Sequence, residues 1–169
     1  SVVAISMPAL ICPIEDVKDK SKSLKHIITI GQEKSNGCLS FDELLKEGSP
    51  ELEPADTHKD DFAFLVYTSG TTGEPKGVEH AHRWLIATGD PIAKLLMQAT
   101  EKDVCFQPQE ISFIYPLGNS FLYPFLVGAS VVLYPGRFDA EKCFEYIQKY
   151  KVTVFSAVPT IFRMLLAVP

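Results

Sequence analysis

The chain has 169 residues, of which 46% are hydrophobic and 11% aromatic, enough to bury a core and too many for extended disorder. The 16 basic and 21 acidic residues give a formal net charge of −5 and include no run of five or six like charges. The composition therefore lacks the electrostatic basis for binding nucleic acid or an anionic membrane surface. No apolar run approaches the ~18 residues that a membrane-spanning helix needs.

The cysteines and the first residues indicate a cellular compartment. Cys12, Cys38, Cys105 and Cys143 are at least 26 residues apart, which excludes a C-x-x-C metal or redox spacing and predicts reduced thiols. The start of the chain has no basic region and soon becomes acidic, so neither a signal peptide nor a transit peptide is predicted. We expect a cytoplasmic protein. Because the chain starts at Ser1 inside a strand pattern and ends in an apolar helix pattern, we also expect an excerpt of a longer protein.

Residues 1–46 predict a small αβ segment in which strands and helices alternate. The predicted elements are a buried strand at 2–5, a helix at 10–18, a strand at 26–30 and a helix at 41–46. Ser40 and Glu43 have the spacing of a capping box, which satisfies two unpaired backbone donors at a helix start. Residues 47–61 follow with two prolines and many acidic side chains, which predicts a solvated acidic linker.

Residues 62–169 predict a larger subdomain of the same alternating kind. The predicted elements are a buried strand at 62–67, a helix at 79–99 interrupted near Pro91, a strand at 104–107, a buried helix at 117–127, a strand at 130–134, a helix capped by Asp139, a strand at 152–155 and a helix from Pro159. At the interruption either one helix kinks or a second begins with Asp90 as its cap. The alternation predicts an α/β fold, with layered strands and helices and a largely parallel sheet.

The segment 67–78, YTSGTTGEPKGV, has the composition of a phosphate-binding loop. Glycine lets the backbone expose successive N–H groups, hydroxyl side chains add donors, and Lys76 adds a full positive charge. The position of the lysine excludes a Walker A loop. The spacing of Gly70, Gly73 and Gly77 excludes the dinucleotide-binding G-x-G-x-x-G fingerprint. The predicted context, between a buried strand and a helix start, is where α/β folds bind ligands.

The same segment resembles the signature [YF]-T-S-G-[ST]-T-G-x-P-K-G of the adenylate-forming enzymes, which include acyl-CoA synthetases, peptide-synthetase adenylation domains and luciferases. The likeness continues through EHAHRWL, SFIYPLGNSFLYPFLVGASVVLYPG and KVTVFSAVPTIFRMLL, and so covers 62–166. The fold implied is part of the large N-terminal domain of an acyl-CoA synthetase. The form IYPLGNS is most similar to ligases of the benzoate and 2-aminobenzoate type.

This resemblance implies a two-step reaction and a set of site residues. A carboxylic acid, here an aromatic one, reacts with Mg²⁺-ATP to give an acyl adenylate and pyrophosphate, and coenzyme A then displaces AMP to form a thioester. Lys76 is the implied catalytic residue. The implied ATP-phosphate ligands are Thr68, Ser69, Gly70, Thr71, Thr72, Gly73 and Lys76. Tyr115 and Asn119 are the implied contacts to the acid, with Ser120 a further candidate.

Three functional alternatives remain open on the sequence. The chain represents an acid–CoA ligase, an adenylation domain that loads a carrier protein, or a homologue that does not catalyse. The family's later motifs, an aromatic-Gly-x-Thr-Glu segment, a ribose-binding aspartate and a lysine on a C-terminal domain, do not occur here, so we expect these 169 residues alone to be inactive. No metal-ligand spacing is visible, so Mg²⁺ is expected to arrive with ATP. His80 and His82 are predicted to be surface or loop-packing residues, and Trp84 a core residue.

Overall fold

The computed structural model describes residues 2–31, 37–70 and 73–168. The chain divides into two compact units, residues 1–55 and residues 56–169. The division falls within the acidic segment 47–61. Among the described residues, none of the helices combines the length and apolar character needed to cross a bilayer.

The first unit is built on a parallel sheet. Its strands are β1 (Val3–Ser6), β2 (His26–Thr29) and β3 (Leu39–Ser40), paired in the order β1-β2-β3, and its helices are α1 (Ile11–Lys18) and α2 (Phe41–Glu47). The central strand buries Ile27 and Thr29 on one face, as the two-residue period of a strand requires. The predicted strand at 2–5 is confirmed but its burial is wrong, because Val3 and Ile5 are 41% and 53% exposed.

The start of α2 confirms the predicted helix cap. The Ser40 hydroxyl accepts a hydrogen bond from the Glu43 backbone N–H at 3.4 Å, which satisfies one donor of the first turn.

The second unit begins with a two-stranded hairpin. Strands β4 (Phe62–Thr68) and β5 (Lys76–Ala81) are antiparallel, and the pairing ends at Thr68 opposite Lys76. The prediction of a helix from residue 79 is therefore wrong at its start, since the next helix, α3, is Trp84–Pro91. The backbone N–H and C=O groups of β4 need partners, and β5 supplies them.

The strand predicted at 62–67 is confirmed, but it is not buried. Phe62 and Tyr67 are 61% and 68% exposed, and Phe64 and Val66 are only half-buried. A hairpin of two strands has too few neighbours to cover both of its faces.

Two π-helical segments interrupt the helices that follow. The first, Ile92–Leu96, continues α3, and the second, Gly118–Leu122, lies between α4 (Ile114–Leu117) and α5 (Tyr123–Leu126). Their signature is a hydrogen bond over five residues, from the Met97 N–H to the Ile92 carbonyl at 2.8 Å and from the Tyr123 N–H to the Gly118 carbonyl. Pro91 directly precedes the first segment, and Pro116 and Pro124 lie two residues before and after the second, where each lacks the N–H that a regular helix would use.

A second parallel sheet completes this unit. Its strands are β6 (Val104–Phe106), β7 (Ser130–Val132) and β8 (Val154–Phe155), in the order β7-β6-β8. The helices α6 (Ala140–Tyr150) and α7 (Pro159–Leu166) pack against it through a core whose buried members are Phe106, Cys143, Ile161 and Leu165. The predicted cap is confirmed, because the Asp139 carboxylate accepts from the Lys142 N–H at 2.9 Å.

One carboxylate joins the starts of β6 and β8. Asp103 accepts hydrogen bonds from the Thr153 hydroxyl at 2.7 Å and from the Thr100 N–H and hydroxyl at 2.7 and 2.8 Å. The Thr153 hydroxyl oxygen in turn accepts from the Val104 N–H at 3.0 Å. These bonds favour the ionised form, with that from Thr153 the strongest, and they lower the pKa of Asp103.

Candidate active site

The phosphate-loop motif lies at the turn of the hairpin. Its residues 69–75 connect Thr68, the last residue of β4, to Lys76, the first residue of β5. The motif therefore joins two antiparallel strands, and the predicted context of strand followed directly by helix is corrected here. The candidate ligands Thr71 and Thr72 lie outside the described residues.

Gly70 can be replaced by no other residue without disturbing this turn. Its φ is +61°, in the left-handed region, and a Cβ added there would lie 2.4 Å from the Glu74 carbonyl oxygen. The same Cβ would lie 3.7 Å from Cγ of Lys76, so the lysine stem passes beside Gly70. Gly73 also has a positive φ, +90°, but it faces open space. Glycine is thus required at Gly70 by conformation and by contact, and at Gly73 by conformation alone.

The described part of the loop presents free donors. Thr68, Ser69 and Lys76 are exposed. Among the residues that the structure describes, Ser69, Gly70, Gly73 and Glu74 accept or donate no backbone hydrogen bond, and Lys76 pairs with no carboxylate. An exposed ammonium group beside unpaired N–H groups is an arrangement suited to an anion.

A cavity of about 350 Å³ lies in the same unit as the loop. It brings together Tyr115 and Asn119, the two residues expected to contact the acid. The other lining residues are apolar or aromatic: Trp84, Ile92, Leu96, Ile114 and Tyr123. The volume is within the range of small-molecule sites, and Asn119 supplies a polar amide in a largely apolar wall.

Both π segments contribute to this cavity. Ile92 and Leu96 come from the first segment and Asn119 comes from the second. A π segment carries one residue more than a regular turn and re-aims the side chains around it, and such segments occur often at functional sites.

Tyr123 is held rigidly in the cavity wall. It is 5% exposed, and its hydroxyl lies 3.2 Å from the Thr88 hydroxyl. Gly89 and Gly118 lie so close to its ring that a Cβ on either glycine would come within 2.7 and 2.6 Å of ring carbons. The two glycines therefore make room for the tyrosine.

Aromatic contacts link the hairpin to the cavity. The Phe64 ring stacks on His80 with centroids 4.7 Å apart, and both rings meet Trp84, at 5.1 and 5.5 Å. Trp84 in turn lies 5.8 Å from the ring of Tyr123. The strands that carry the phosphate loop are thus packed against a wall of the cavity.

Several sequence expectations need adjustment at this site. His80 and His82 are predicted to be surface or loop-packing residues. His82 is exposed, whereas His80 is half-buried in β5 and stacks on Phe64. Trp84, expected in the core, is half-buried and lines the cavity. Ser120 is buried, and its hydroxyl donates to the Pro116 carbonyl at 2.8 Å, so it does not face the cavity. The sequence analysis does not predict Ile92, Leu96 or Tyr123 as site residues. No sequence signal marks the π segment that carries Ile92 and Leu96, and Tyr123, the first residue of α5, reads as an ordinary core aromatic.

The described residues contain no group of three His, Cys, Asp or Glu side chains placed to hold a metal ion.

Comparison with known proteins identifies the class to which this fold and loop belong. The profile of the family described as AMP-binding enzyme matches residues 4–169, and the chain belongs to this family. Within it, the chain is 35% identical over 167 residues to benzoate–CoA ligase of Thauera aromatica, covering 99% of this chain and 31% of the relative. It is 35% identical over 156 residues to 4-hydroxybenzoate–CoA/benzoate–CoA ligase of Rhodopseudomonas palustris, covering 92% and 29%.

Solved structures agree with these sequence relatives. An anthranilate CoA ligase, AuaEII, in complex with anthranoyl-AMP superposes with a TM-score of 0.82 at 33% identity, over 92% of this chain and 30% of that one. A benzoate CoA ligase from Burkholderia xenovorans LB400 superposes with a TM-score of 0.80 at 30% identity, over 100% and 32%. The expected α/β fold of an acyl-CoA ligase N-terminal domain is confirmed. The chain spans about 30% of the length of these relatives.

Proposed function

We propose that this chain is the ATP-phosphate and acid-binding part of a longer ATP-dependent acid–CoA ligase. The ligase joins a carboxylic acid to AMP with release of pyrophosphate and then transfers the acyl group to coenzyme A. The observation that carries the proposal is the packing, within one compact unit, of the signature hairpin against a small apolar cavity with an amide in its wall. Membership of the AMP-binding family and the acid–CoA ligases among the relatives support it.

The loop is proposed to hold the β- and γ-phosphates of ATP. Thr68, Ser69, Thr71 and Thr72 would donate from their hydroxyl groups, Gly70 and Gly73 from their N–H groups, and Lys76 would add positive charge. The unpaired state of the described donors supports this assignment, because a polyphosphate needs several donors at once. Mg²⁺ would enter as a complex with the nucleotide and neutralise part of the phosphate charge.

The cavity is proposed to hold the acid, and an aromatic acid suits it best. Trp84, Tyr115 and Tyr123 offer flat rings, which favour offset or edge-on contacts with another ring. Asn119 offers one amide, which orients a polar group of the substrate. The benzoate–CoA ligase and the anthranilate CoA ligase among the relatives are both named for aromatic acids, which supports this proposal.

The loop residues stabilise the negative charge that moves onto pyrophosphate during the first step. A carboxylate oxygen forms a bond to the α-phosphorus while the bond from that phosphorus to the bridging oxygen breaks, and the electron pair leaves with pyrophosphate. Lys76 and the loop donors stabilise the charge that grows on the departing phosphates. In the second step the thiol sulfur of coenzyme A attacks the acyl carbon, the C–O bond to AMP breaks with its electron pair leaving on AMP, and the thiol proton is released to water. Such preorganised donors are usually the largest source of rate enhancement.

Acid-dependent exchange of pyrophosphate into ATP by the full-length protein tests the first step. We expect Lys76→Ala to lower the exchange rate about 100-fold to 1,000-fold, the loss typical of one removed donor. Lys149→Ala, an exposed lysine on α6 beside Tyr150, is the matched control and should leave the rate unchanged. An unchanged rate in Lys76→Ala would remove this lysine from the mechanism.

Tyr115→Ala tests the acid cavity separately. We expect it to raise the KM for the acid about tenfold or more while the KM for ATP stays constant, since only the cavity wall is lost. Phe113→Ala is the control, because Phe113 is 65% exposed on the same segment and does not line the cavity. Equal effects of both variants on the acid KM would exclude a specific role of Tyr115.

The acceptor and the minimal active unit are also proposals. Transfer to coenzyme A, and none to a phosphopantetheine-carrying protein, would decide against the carrier-loading alternative.

We propose that the 169 residues alone are inactive, since they span about 30% of the relatives' length, and adenylate formation by the isolated segment would contradict this. A cytoplasmic location is proposed from the four cysteines, which are free thiols in the structure.

A further inference from the structure

Two glycines beside the acid cavity occupy helical positions at which alanine would form the helix better. Gly89 is buried in the last turn of α3, and Gly118 begins the second π segment with φ and ψ of −71° and −66°. Neither residue has a positive φ, so their backbone conformation does not require glycine. Glycine inside a helix is less favourable than alanine. The reason for glycine at these two positions must therefore lie in what a Cβ would contact.

Both glycines face the ring of Tyr123, from opposite edges. A Cβ on Gly89 would lie 2.7 Å from Cδ1 of the ring, and a Cβ on Gly118 would lie 2.6 Å from Cε2 and from Cζ. The end of the ring is fixed as well, because its hydroxyl lies 3.2 Å from the Thr88 hydroxyl. Thr88 donates its own hydrogen to the Trp84 carbonyl at 2.8 Å, so the tyrosine is the donor to Thr88. The ring is thus held between α3 and the second π segment.

The open space beside this ring is the acid cavity. Tyr123 is only 5% exposed and lines the cavity of about 350 Å³. Non-bonded carbon atoms prefer a separation of about 3.5–4.0 Å, so a Cβ on either glycine forces the ring to move. A close-packed interior leaves room for that movement only at a cavity, and the ring would therefore advance into the space proposed for the acid. The depth of the cavity depends on the absence of these two Cβ atoms.

We propose that Gly89 and Gly118 are specificity-determining residues, which set the depth of the acid cavity through the position of Tyr123. Both act through the tyrosine ring, since neither lines the cavity itself. With glycine at both positions the ring stays back and the cavity accepts an aromatic acid. A Cβ at either position advances the ring and leaves room for a short aliphatic acid. This inference rests on the proposed function, which assigns the acid to this cavity.

Pyrophosphate exchange by the full-length protein, with benzoate and with propionate as the acid, tests the proposal. We expect Gly89→Ala and Gly118→Ala each to lower the ratio of kcat/KM for benzoate to that for propionate about tenfold or more, as one carbon in an apolar pocket does. The KM for ATP should stay constant. Ala87→Leu is the matched control, because it adds carbon atoms to the exposed side of α3, and it should leave the ratio unchanged.

This experiment separates the inference from the proposed function. Exchange with no carboxylic acid in the wild type would overturn both. Normal exchange in the wild type, with an unchanged ratio in both folded alanine variants, would overturn the inference alone. A lowered melting temperature without a changed ratio would show that the glycines serve packing only and would likewise overturn it.

A smaller side chain in place of the tyrosine should have the opposite effect. Tyr123→Leu removes the ring that lines the cavity, so we expect kcat/KM for 2-naphthoate to rise about tenfold relative to benzoate. In the double variant of Tyr123→Leu with Gly118→Ala, the added Cβ meets no ring, and the benzoate-to-propionate ratio should return toward the wild-type value. A ratio as low as that of Gly118→Ala alone would contradict the proposal. If the alanine variants do not fold, Tyr123→Leu still decides, because an unchanged preference between 2-naphthoate and benzoate would overturn the role of the ring.

Discussion

The indole of Trp84 meets the ring of Phe64 edge-on, with centroids 5.1 Å apart and planes at 85°. Phe64 belongs to β4, whose end carries the phosphate loop, and Trp84 lines the cavity proposed for the acid. A displacement of the hairpin is therefore transmitted to the acid cavity by direct contact, because close-packed rings leave no free space between them.

Trp84→Ala tests this contact in the full-length protein. Loss of the indole opens the cavity wall and frees the hairpin, so we expect the KM for the acid to rise about 10-fold to 100-fold, the range for changed contacts in an apolar pocket. The KM for ATP should rise as well, in contrast to Tyr115→Ala. Steady-state kinetics with each substrate varied in turn gives both values. Phe62→Ala, on the same hairpin but 61% exposed, should change neither.

Gly70→Ala and Gly73→Ala distinguish the two reasons why the loop needs glycine, which are backbone conformation and close contact. Both place a Cβ on a left-handed backbone, which costs about 1–2 kcal/mol for an L-residue. Only Gly70→Ala also places that carbon 2.4 Å from the Glu74 carbonyl, which forces the turn to move. We expect a larger loss of ATP affinity in Gly70→Ala, measured by calorimetric titration. Equal losses in the two variants would show that the contact with Glu74 is unimportant.

Asp103→Asn should lower the melting temperature and alter its dependence on pH. The pKa of Asp103 is lowered in the folded chain, so its ionised form contributes stability above the ordinary value of 3.8 and loses it as the pH falls through the lowered pKa. The variant lacks this titration. Its melting temperature should therefore fall less than that of the wild type between pH 5 and pH 2. Parallel curves for the two proteins would contradict the role assigned to the carboxylate.

The buried thiols should be inert until the chain unfolds. Desolvation raises the pKa of Cys105 and of Cys143 to about 11, and Asp103 adds to the effect at Cys105. At pH 8 we expect iodoacetamide to modify the exposed Cys12 and to leave these two intact, as mass spectrometry of the peptides would show. The stability that the protonated thiols contribute is present below their ordinary value of 9.0 and is lost as the pH rises through about 11.

Labelling of Cys105 or Cys143 in the native protein as fast as that of Cys12 would contradict this burial.

Local signals in the sequence were sufficient for much of the fold. Ser40 and Asp139 mark helix starts because their side chains act on backbone groups only three residues away, and both hydrogen bonds are formed. The alternation of strand and helix patterns likewise predicted a largely parallel sheet, which β6, β7 and β8 form; the strand order comes from the structure alone.

The sequence predictions fail where residues far apart in the chain determine the local structure. Residues 76–81 carry no clear strand pattern and become a strand because β4 offers unpaired backbone groups nearby. The wall of the acid cavity depends in part on two π segments, for which the sequence carries no recognisable signal. Tyr115 and Asn119 were nominated through family resemblance, and their joint presence in one cavity is a result of the fold.

The two π segments also determine how this cavity can change in evolution. Each holds one residue in excess of a regular helix, so deletion of a single residue restores the ordinary pitch. Because one residue corresponds to about 100° of helix rotation, deletion of Gly118 from the second segment would turn the Asn119 amide relative to Tyr115 without breaking the helix. A single deletion would therefore change which polar group the wall presents to the proposed acid, an effect that otherwise takes several replacements of wall residues.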